Sequence, residues 1–198
     1  MGHYYISDLS LKSEKRKIKY TFKGVDVNLY SDLGVFSKER IDFGTNVLLN
    51  ALDELEDVQS ILDVGCGYGI IGICLAKKYM SKNILMIDVN SRCISLVNEN
   101  IKNNNLHNAS VLESNLYEKV DGTFDMIISN PPIRAGKAVV NNVVVEGYEH
   151  LNEGGSIWVV IQKKQGAPSL FKKMEEIFGN VDTVTKEKGY YIYKSTKK

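Results

Sequence analysis

Ile61-Leu62-Asp63-Val64-Gly65-Cys66-Gly67-Tyr68-Gly69-Ile70-Ile71-Gly72 is an apolar strand that runs into three alternating glycines and then into an apolar helix. Glycines at this spacing let the backbone turn tightly and approach a nucleotide-like ligand with no Cβ in the way. The segment from Gly67 to Gly72 matches the dinucleotide pattern literally, and Asp88 closes a second apolar strand, Ile84 to Ile87, at the distance of a ribose-binding acid. Two nucleoside cofactors fit this much, NAD and S-adenosylmethionine. Asp63 separates them, because a carboxylate beside the first glycine suits a ligand carrying an ammonium and a sulfonium and repels a pyrophosphate at the helix N-terminus.

Downstream, Phe124-Asp125-Met126-Ile127-Ile128-Ser129 reads as a buried strand and is followed by Asn130-Pro131-Pro132-Ile133. Open α/β sheets bind ligands at the carboxyl ends of their strands. Two successive prolines hold the chain in a stiff extended corner and leave its carbonyls free. With the Asn130 side-chain oxygen, such a corner offers fixed acceptors for the two hydrogens of a planar amino group. The plainer alternative is that Pro131 and Pro132 only terminate the strand.

With glycine loop, ribose acid and Asn130 to Ile133 in this order, the chain resembles the Rossmann-like S-adenosylmethionine methyltransferases that methylate exocyclic or amide nitrogens. Gly34-Val35-Phe36-Ser37 and Asp42-Phe43-Gly44-Thr45 ahead of the loop, and Arg134-Ala135-Gly136-Lys137 after the corner, are similar to the RsmC-type guanine-N2 methyltransferases of small-subunit ribosomal RNA. The resemblance implies Asp63, Gly65, Cys66, Gly67, Asp88, Val89, Asn115, Leu116 and Asn130 at the cofactor, and Asn130, Pro131, Pro132 and Ile133 at the reaction. Asn115 stands where the family usually has an aspartate, and its oxygen can still accept from an adenine amino group. Ile133 stands where adenine- and glutamine-modifying relatives commonly carry an aromatic, which favours guanine. A protein glutamine methyltransferase, a nicotinamide-dependent reductase and a non-catalytic RNA-binding relative are the alternatives.

The chain has 198 residues, 43% of them hydrophobic, which suits one domain with a sizeable core. A net charge of +1 gives no global attraction to nucleic acid, so RNA binding requires a local patch. Arg134, Lys137, Lys163 and Lys164 follow strand ends on the loop's side of the sheet and are candidate substrate contacts, with Phe36 and Phe43 as candidates to cover or stack on a base. Lys12, Lys15, Arg16, Lys17 and Lys19 read instead as the solvated face of a half-buried strand. Cys66, Cys74 and Cys93 lack metal or redox spacing, which favours buried thiols in a reducing compartment. His3, His107 and His150 show no ligand pairing, so no metal is expected. No stretch reads as a membrane span or signal peptide, and the expected location is the cytoplasm. The pattern leaves open monomer or homodimer.

The expected fold is α/β: a Rossmann-like, doubly wound, seven-stranded mixed sheet with a C-terminal antiparallel hairpin and a short N-terminal β extension. Residues 1–33 form the extension and 34–198 the methyltransferase domain. Strands are expected around Gly24 within 18–30, at 60–64, 84–88, near 111, at 124–129, 156–161, 181–186 and 190–193. Thr45 or Asn46 is the expected cap of a helix buried through Val47, Leu48, Ala51, Leu52 and Leu55, and Ser91 that of a helix turned inward through Ile94, Val97 and Ile101. A helix from about 70 to 79 follows the glycine loop, and one ending at Gly179 carries Leu170, Phe171, Met174, Ile177 and Phe178. Between Lys137 and Leu151 the valines favour strand by propensity, whereas the alternation demands a crossover helix, and helix is the expectation.

Overall fold

The structure, a computed structural model, describes residues 13–33, 35, 41–52, 55–132 and 135–198. A hairpin of β1 (Arg16–Phe22) and β2 (Val25–Ser31) precedes α1 (Phe43–Ala51). Then follow β3 (Ser60–Val64), α2 (Ile70–Lys78), β4 (Asn83–Asp88), α3 (Ser91–Asn103), β5 (Ala109–Glu113), β6 (Phe124–Ser129), α4 (Lys137–Glu149), β7 (Leu151–Gln162), α5 (Ala167–Phe178), β8 (Asp182–Glu187) and β9 (Tyr190–Thr196). The last seven strands form one sheet in the order β5-β4-β3-β6-β7-β9-β8. All its pairs are parallel except those made by β9, which runs antiparallel to β7 and β8. This is the expected mixed sheet with its C-terminal hairpin.

Continuous apolar strands arise because both sheet faces are covered. Ile61, Met86, Met126, Ile128, Trp158 and Val160 face a core completed by α1, α2, α3 and the β1–β2 hairpin. Their neighbours Leu62, Ile87, Ile127, Ile157 and Val159 face α4 and α5. The valine-rich segment is a helix, as the alternation required. Its buried residues Val140, Val143, Val144 and Gly147 fall at helical spacing, and burial of that stripe outweighs the β preference of each valine.

The hairpin docks through side-chain amides one helical turn apart on α3. Asn100 accepts from Tyr30 N at 2.7 Å and donates to Tyr30 O at 3.0 Å, and Asn104 does the same for Asn28 at 3.0 and 2.8 Å. Two asparagines thus take the place of a neighbouring strand along the β2 edge, which would otherwise be left with unpaired backbone groups.

Three local expectations are corrected. The cap of α1 is Asp42, whose Oδ2 accepts from Thr45 N, and not Thr45 or Asn46; the helix ends at Ala51, so Leu55 is buried outside it. The cap of α3 is Asn90, accepting from Arg92 N, in place of Ser91. Cys93, Leu96, Val97 and Asn100 face inward, and Ile94 and Ile101 are half-buried. Finally, β7 starts at Leu151 and loops out before Ser156, where a Cβ on Gly155 would lie 2.8–3.1 Å from three backbone carbonyls. No helix among the described residues is long and apolar enough to cross a membrane.

Candidate active site

The carboxyl ends of β3, β4 and β6 open into a cavity of about 600 Å³, within the range of small-molecule sites. Its floor is the glycine loop. Gly65 N and Cys66 N both donate to Ile87 O, at 2.9 and 3.0 Å, which pins the loop to β4. Gly67 has a φ of +58°, a backbone conformation costly for other residues. Gly72 serves packing, since a Cβ there would lie 2.4 Å from Met86 Cγ.

Asp88 braces this loop from the end of β4, accepting from Gly67 N and Asn90 N at 2.9 Å each. It lines the cavity, and its oxygens retain lone pairs for further donors. Burial raises its pKa, against the opposing backbone hydrogen bonds. Asp63 occupies a different place from the one its spacing suggests. It lies 1% exposed beneath the loop, Oδ2 accepting from Gly72 N at 3.0 Å, and it is absent from the cavity lining. Its Oδ1 is buried with no partner, and burial pushes its pKa up to about 7. Cys66 lines the cavity with its thiol pushed well up by burial, which disfavours a thiolate nucleophile. All three cysteines are free and buried.

The opposite wall is the Asn-Pro-Pro corner. Ser129 Oγ donates to Val64 O at 2.7 Å, tying the end of β6 to the end of β3. A Cβ on Gly65 would sit 3.6 Å from Pro132 Cδ, so the corner stands in contact range of the first loop glycine. Asn130, Pro131 and Pro132 all line the cavity. Ala135 N donates to Pro132 O at 2.8 Å, whereas no described N–H is paired with the Pro131 carbonyl. Asn130 Nδ2 donates to Asp42 Oδ2 at 3.1 Å and to Thr45 Oγ1 at 2.8 Å. A carboxylate can only accept, which fixes the nitrogen on the Asp42 side and leaves Asn130 Oδ1 as the acceptor facing away from it.

Asn115 repeats this device. Its Nδ2 donates to Glu118 Oε1 at 2.7 Å, so its oxygen is the atom left for a ligand amine. Val89, Ser114 and Leu116 complete this side of the lining. Asp42, Thr45, Tyr68, Gln165 and Tyr190 also line the cavity and were missed in the sequence reading. The Asp42-Phe43-Gly44-Thr45 run was the available signal for the first two. Gly44 explains Tyr190, because a Cβ there would meet the Tyr190 ring at 2.7 Å.

Of the expected substrate contacts, Phe43 packs against Tyr190 with ring centroids 5.6 Å apart and lies behind the lining. Lys137, Lys163 and Lys164 are exposed outside the cavity, and Lys163 N donates to Gly189 O beside Tyr190. Lys188 Nζ lies 4.8 Å over the Phe43 ring and adds a cation that was not anticipated. Phe36, Ile133, Arg134, Lys12 and His3 lie outside the described residues. No group of three or more His, Cys, Asp or Glu that could hold a metal occurs among the described residues.

Comparison with known proteins bears on this geometry. The chain is 47% identical over 197 residues to the uncharacterized protein YbxB of Bacillus subtilis, with 98% of each covered. It is 30% identical over 172 residues to ribosomal RNA small subunit methyltransferase C of Haemophilus influenzae, covering 85% of this chain and 51% of that protein. The chain thus spans about half the length of such relatives. A structure of T. thermophilus 16S rRNA N2 methyltransferase RsmC in complex with AdoMet and guanosine superposes with a TM-score of 0.83 at 26% identity, covering 95% of this chain and 52% of the other. The family model of the methyltransferase small domain matches residues 26–194. The chain therefore belongs to the methyltransferase small domain family.

Proposed function

We propose that the chain methylates the exocyclic amino group of a guanine in small-subunit ribosomal RNA, with S-adenosylmethionine as the donor. One observation carries this reading. Asn130 Oδ1 and the Pro131 carbonyl are two acceptors without described partners, set in the wall of the same cavity as the glycine loop. Two acceptors on a rigid corner suit an NH2 group. The rRNA methyltransferase names of the relatives at 30% identity, and the guanosine in the T. thermophilus complex, support guanine as its bearer.

The residues of the cavity fit the donor. Asp88 and Asn115, both in the cavity lining, offer acceptors for ribose hydroxyls and an adenine amine. When bound, S-adenosylmethionine supplies an electrophilic methyl on a sulfonium. The base amine is a poor nucleophile because its lone pair is delocalised into the ring. By drawing on both N–H bonds, Asn130 Oδ1 and the Pro131 carbonyl favour the pyramidal nitrogen of the transition state and hold it toward the loop. With the donor bound, the nitrogen lone pair held by Asn130 Oδ1 and the Pro131 carbonyl would form the new N–C bond as the C–S bond broke with its electron pair left on sulfur, and the cationic nitrogen would then release a proton to solvent. Tyr190 lines the cavity, Phe43 and Lys188 pack behind it and Lys163 is bonded to neighbouring Gly189, which favours this side for a flipped or single-stranded nucleotide and its phosphates.

The test is mass spectrometry of nucleosides from ribosomal RNA of cells with and without the gene. Loss of N2-methylguanosine, restored by complementation, is the expected result. An unchanged nucleoside profile, together with methylation of a glutamine-containing protein in vitro, would replace this reading by the amide one.

A further inference from the structure

Asp42 carries more than a helix cap requires. A cap needs one acceptor for an N–H of the first turn, and Ser, Thr or Asn would serve equally. Asp42 meets that need through Thr45 N at 3.1 Å, yet the same Oδ2 also takes Asn130 Nδ2 at 3.1 Å from a residue 88 positions away. Thr45 Oγ1, at 2.8 Å, is the second acceptor for that nitrogen. Both amide hydrogens of Asn130 are thereby engaged.

The consequence lies in what an unrestrained asparagine would do. Its two planar orientations differ only in exchanging oxygen for nitrogen, and in one of them NH2 would face the acceptor amine, donor against donor. A carboxylate excludes that orientation because it has no hydrogen to give. We propose that Asp42 is a positioning residue for methyl transfer. Its charge locks Asn130 with Oδ1 toward the substrate amine and, through the N–H···O⁻ bond, makes that oxygen a stronger acceptor as positive charge develops on the nitrogen. The inference rests on the amine methylation proposed above.

Asp42 can be separated from its capping role. Asp42→Asn removes the charge and puts at the shared Oδ2 position either an oxygen, which keeps the cap and a weaker bond from Asn130, or NH2, which gives up the cap and tolerates the reversed Asn130. Asn130→Asp alone sets two carboxylates about 3 Å apart, a like-charge pair. The double variant, Asn at 42 and Asp at 130, lets the new amide at 42 donate to the new carboxylate at 130 and again turns an acceptor toward the amine while giving up the Thr45 N bond, so its recovery reads the pairing and not the cap. Rates of methyl transfer to ribosomal RNA would be measured for all four proteins, with S-adenosylmethionine affinity by calorimetry. Each single variant is expected to lose about 30-fold or more in kcat, with affinity for the donor within about twofold of wild type. The double variant is expected to turn over about tenfold or more faster than the slower single, where independent effects would multiply the losses.

An Asp42→Asn enzyme with wild-type kcat, or a double variant as slow as the product of the singles, would overturn the inference while leaving the methyltransferase reading in place. A wild-type chain that binds the donor and transfers nothing to ribosomal RNA would overturn the substrate reading and this inference with it.

Discussion

Asp63 shows most clearly how a single buried group links the loop to solution conditions. Burial raises its pKa from 3.8 to about 7, against the lowering by the Gly72 N–H. Between these values the folded chain retains a proton that the unfolded chain has released, so stability is greatest below the lower value and falls as pH rises toward 7. The loss across that window is on the order of 2–4 kcal/mol. Asp63→Asn, which can still accept from Gly72 N, should flatten this limb of the Tm-versus-pH curve measured without cofactor. Parallel curves for the two proteins would show that Asp63 titrates normally. Asp32 and Asp125 act in the opposite sense: despite burial, hydrogen bonds from Ser13 and Glu14 to Asp32, and from Asn152, Gln59 and Ser60 to Asp125, hold their pKa values down. Their contribution is lost at acid pH, so the comparison with Asp63→Asn isolates Asp63. Asp88→Ala should lower S-adenosylmethionine affinity about tenfold or more, as read by calorimetry, because it removes both the loop brace and the proposed ribose acceptor. Affinity equal to wild type would dismiss Asp88 as a ligand contact. Glycines, Asp88 and the Asn-Pro-Pro corner were legible in the sequence because their residue types are demanded by backbone conformation or chemistry. Gln165 and Tyr190 were not, since they come from segments whose approach to the cavity depends on packing alone, and Asp42 stood in the Asp42-Phe43-Gly44-Thr45 run without a role assigned to it.

At the scale of the element, the docking of the β1–β2 hairpin on α3 is the least expected stabilising feature. Asn100 satisfies Tyr30 N, Tyr30 O and Tyr68 O from one buried side chain, and Tyr68 belongs to the glycine loop. The hairpin, the helix and the loop are therefore held by one amide. Asn100→Ala should cost about 3 kcal/mol in urea denaturation, the scale expected when buried backbone groups lose their partners. A change below about 0.5 kcal/mol would mean that the hairpin edge is satisfied in another way. The sequence pattern gave α4 despite its valines, because position in the strand–helix alternation restricts what a crossover can be. It misplaced the caps of α1 and α3 by one to four residues, since Asp42, Thr45 and Asn46, or Asn90 and Ser91, are all competent cap types and only the local hydrogen bond selects among them. No sequence pattern announced the asparagine ladder, for a polar residue on an inward helix face looks like an interruption until the strand edge opposite it is seen.

For the whole molecule, topology converts two distant sequence motifs into neighbours. The strand order places β6 beside β3, so the loop after one and the corner after the other open on the same rim. That juxtaposition follows from parallel pairing and right-handed crossovers, which bring both strand ends to one rim of the sheet. The surface proposed to receive substrate was less readable, because Lys163, Lys188, Phe43 and Tyr190 come together only when the antiparallel β9 returns against β7. In the proposed reaction the cavity holds the donor on one wall and activates the acceptor amine from the other. Asn130→Ala separates these duties, and the decisive measurement is methyl transfer to ribosomal RNA by this variant alongside its calorimetric affinity for S-adenosylmethionine. Donor affinity close to wild type with transfer reduced about 100-fold or more is the predicted result. Transfer at the wild-type rate would contradict it.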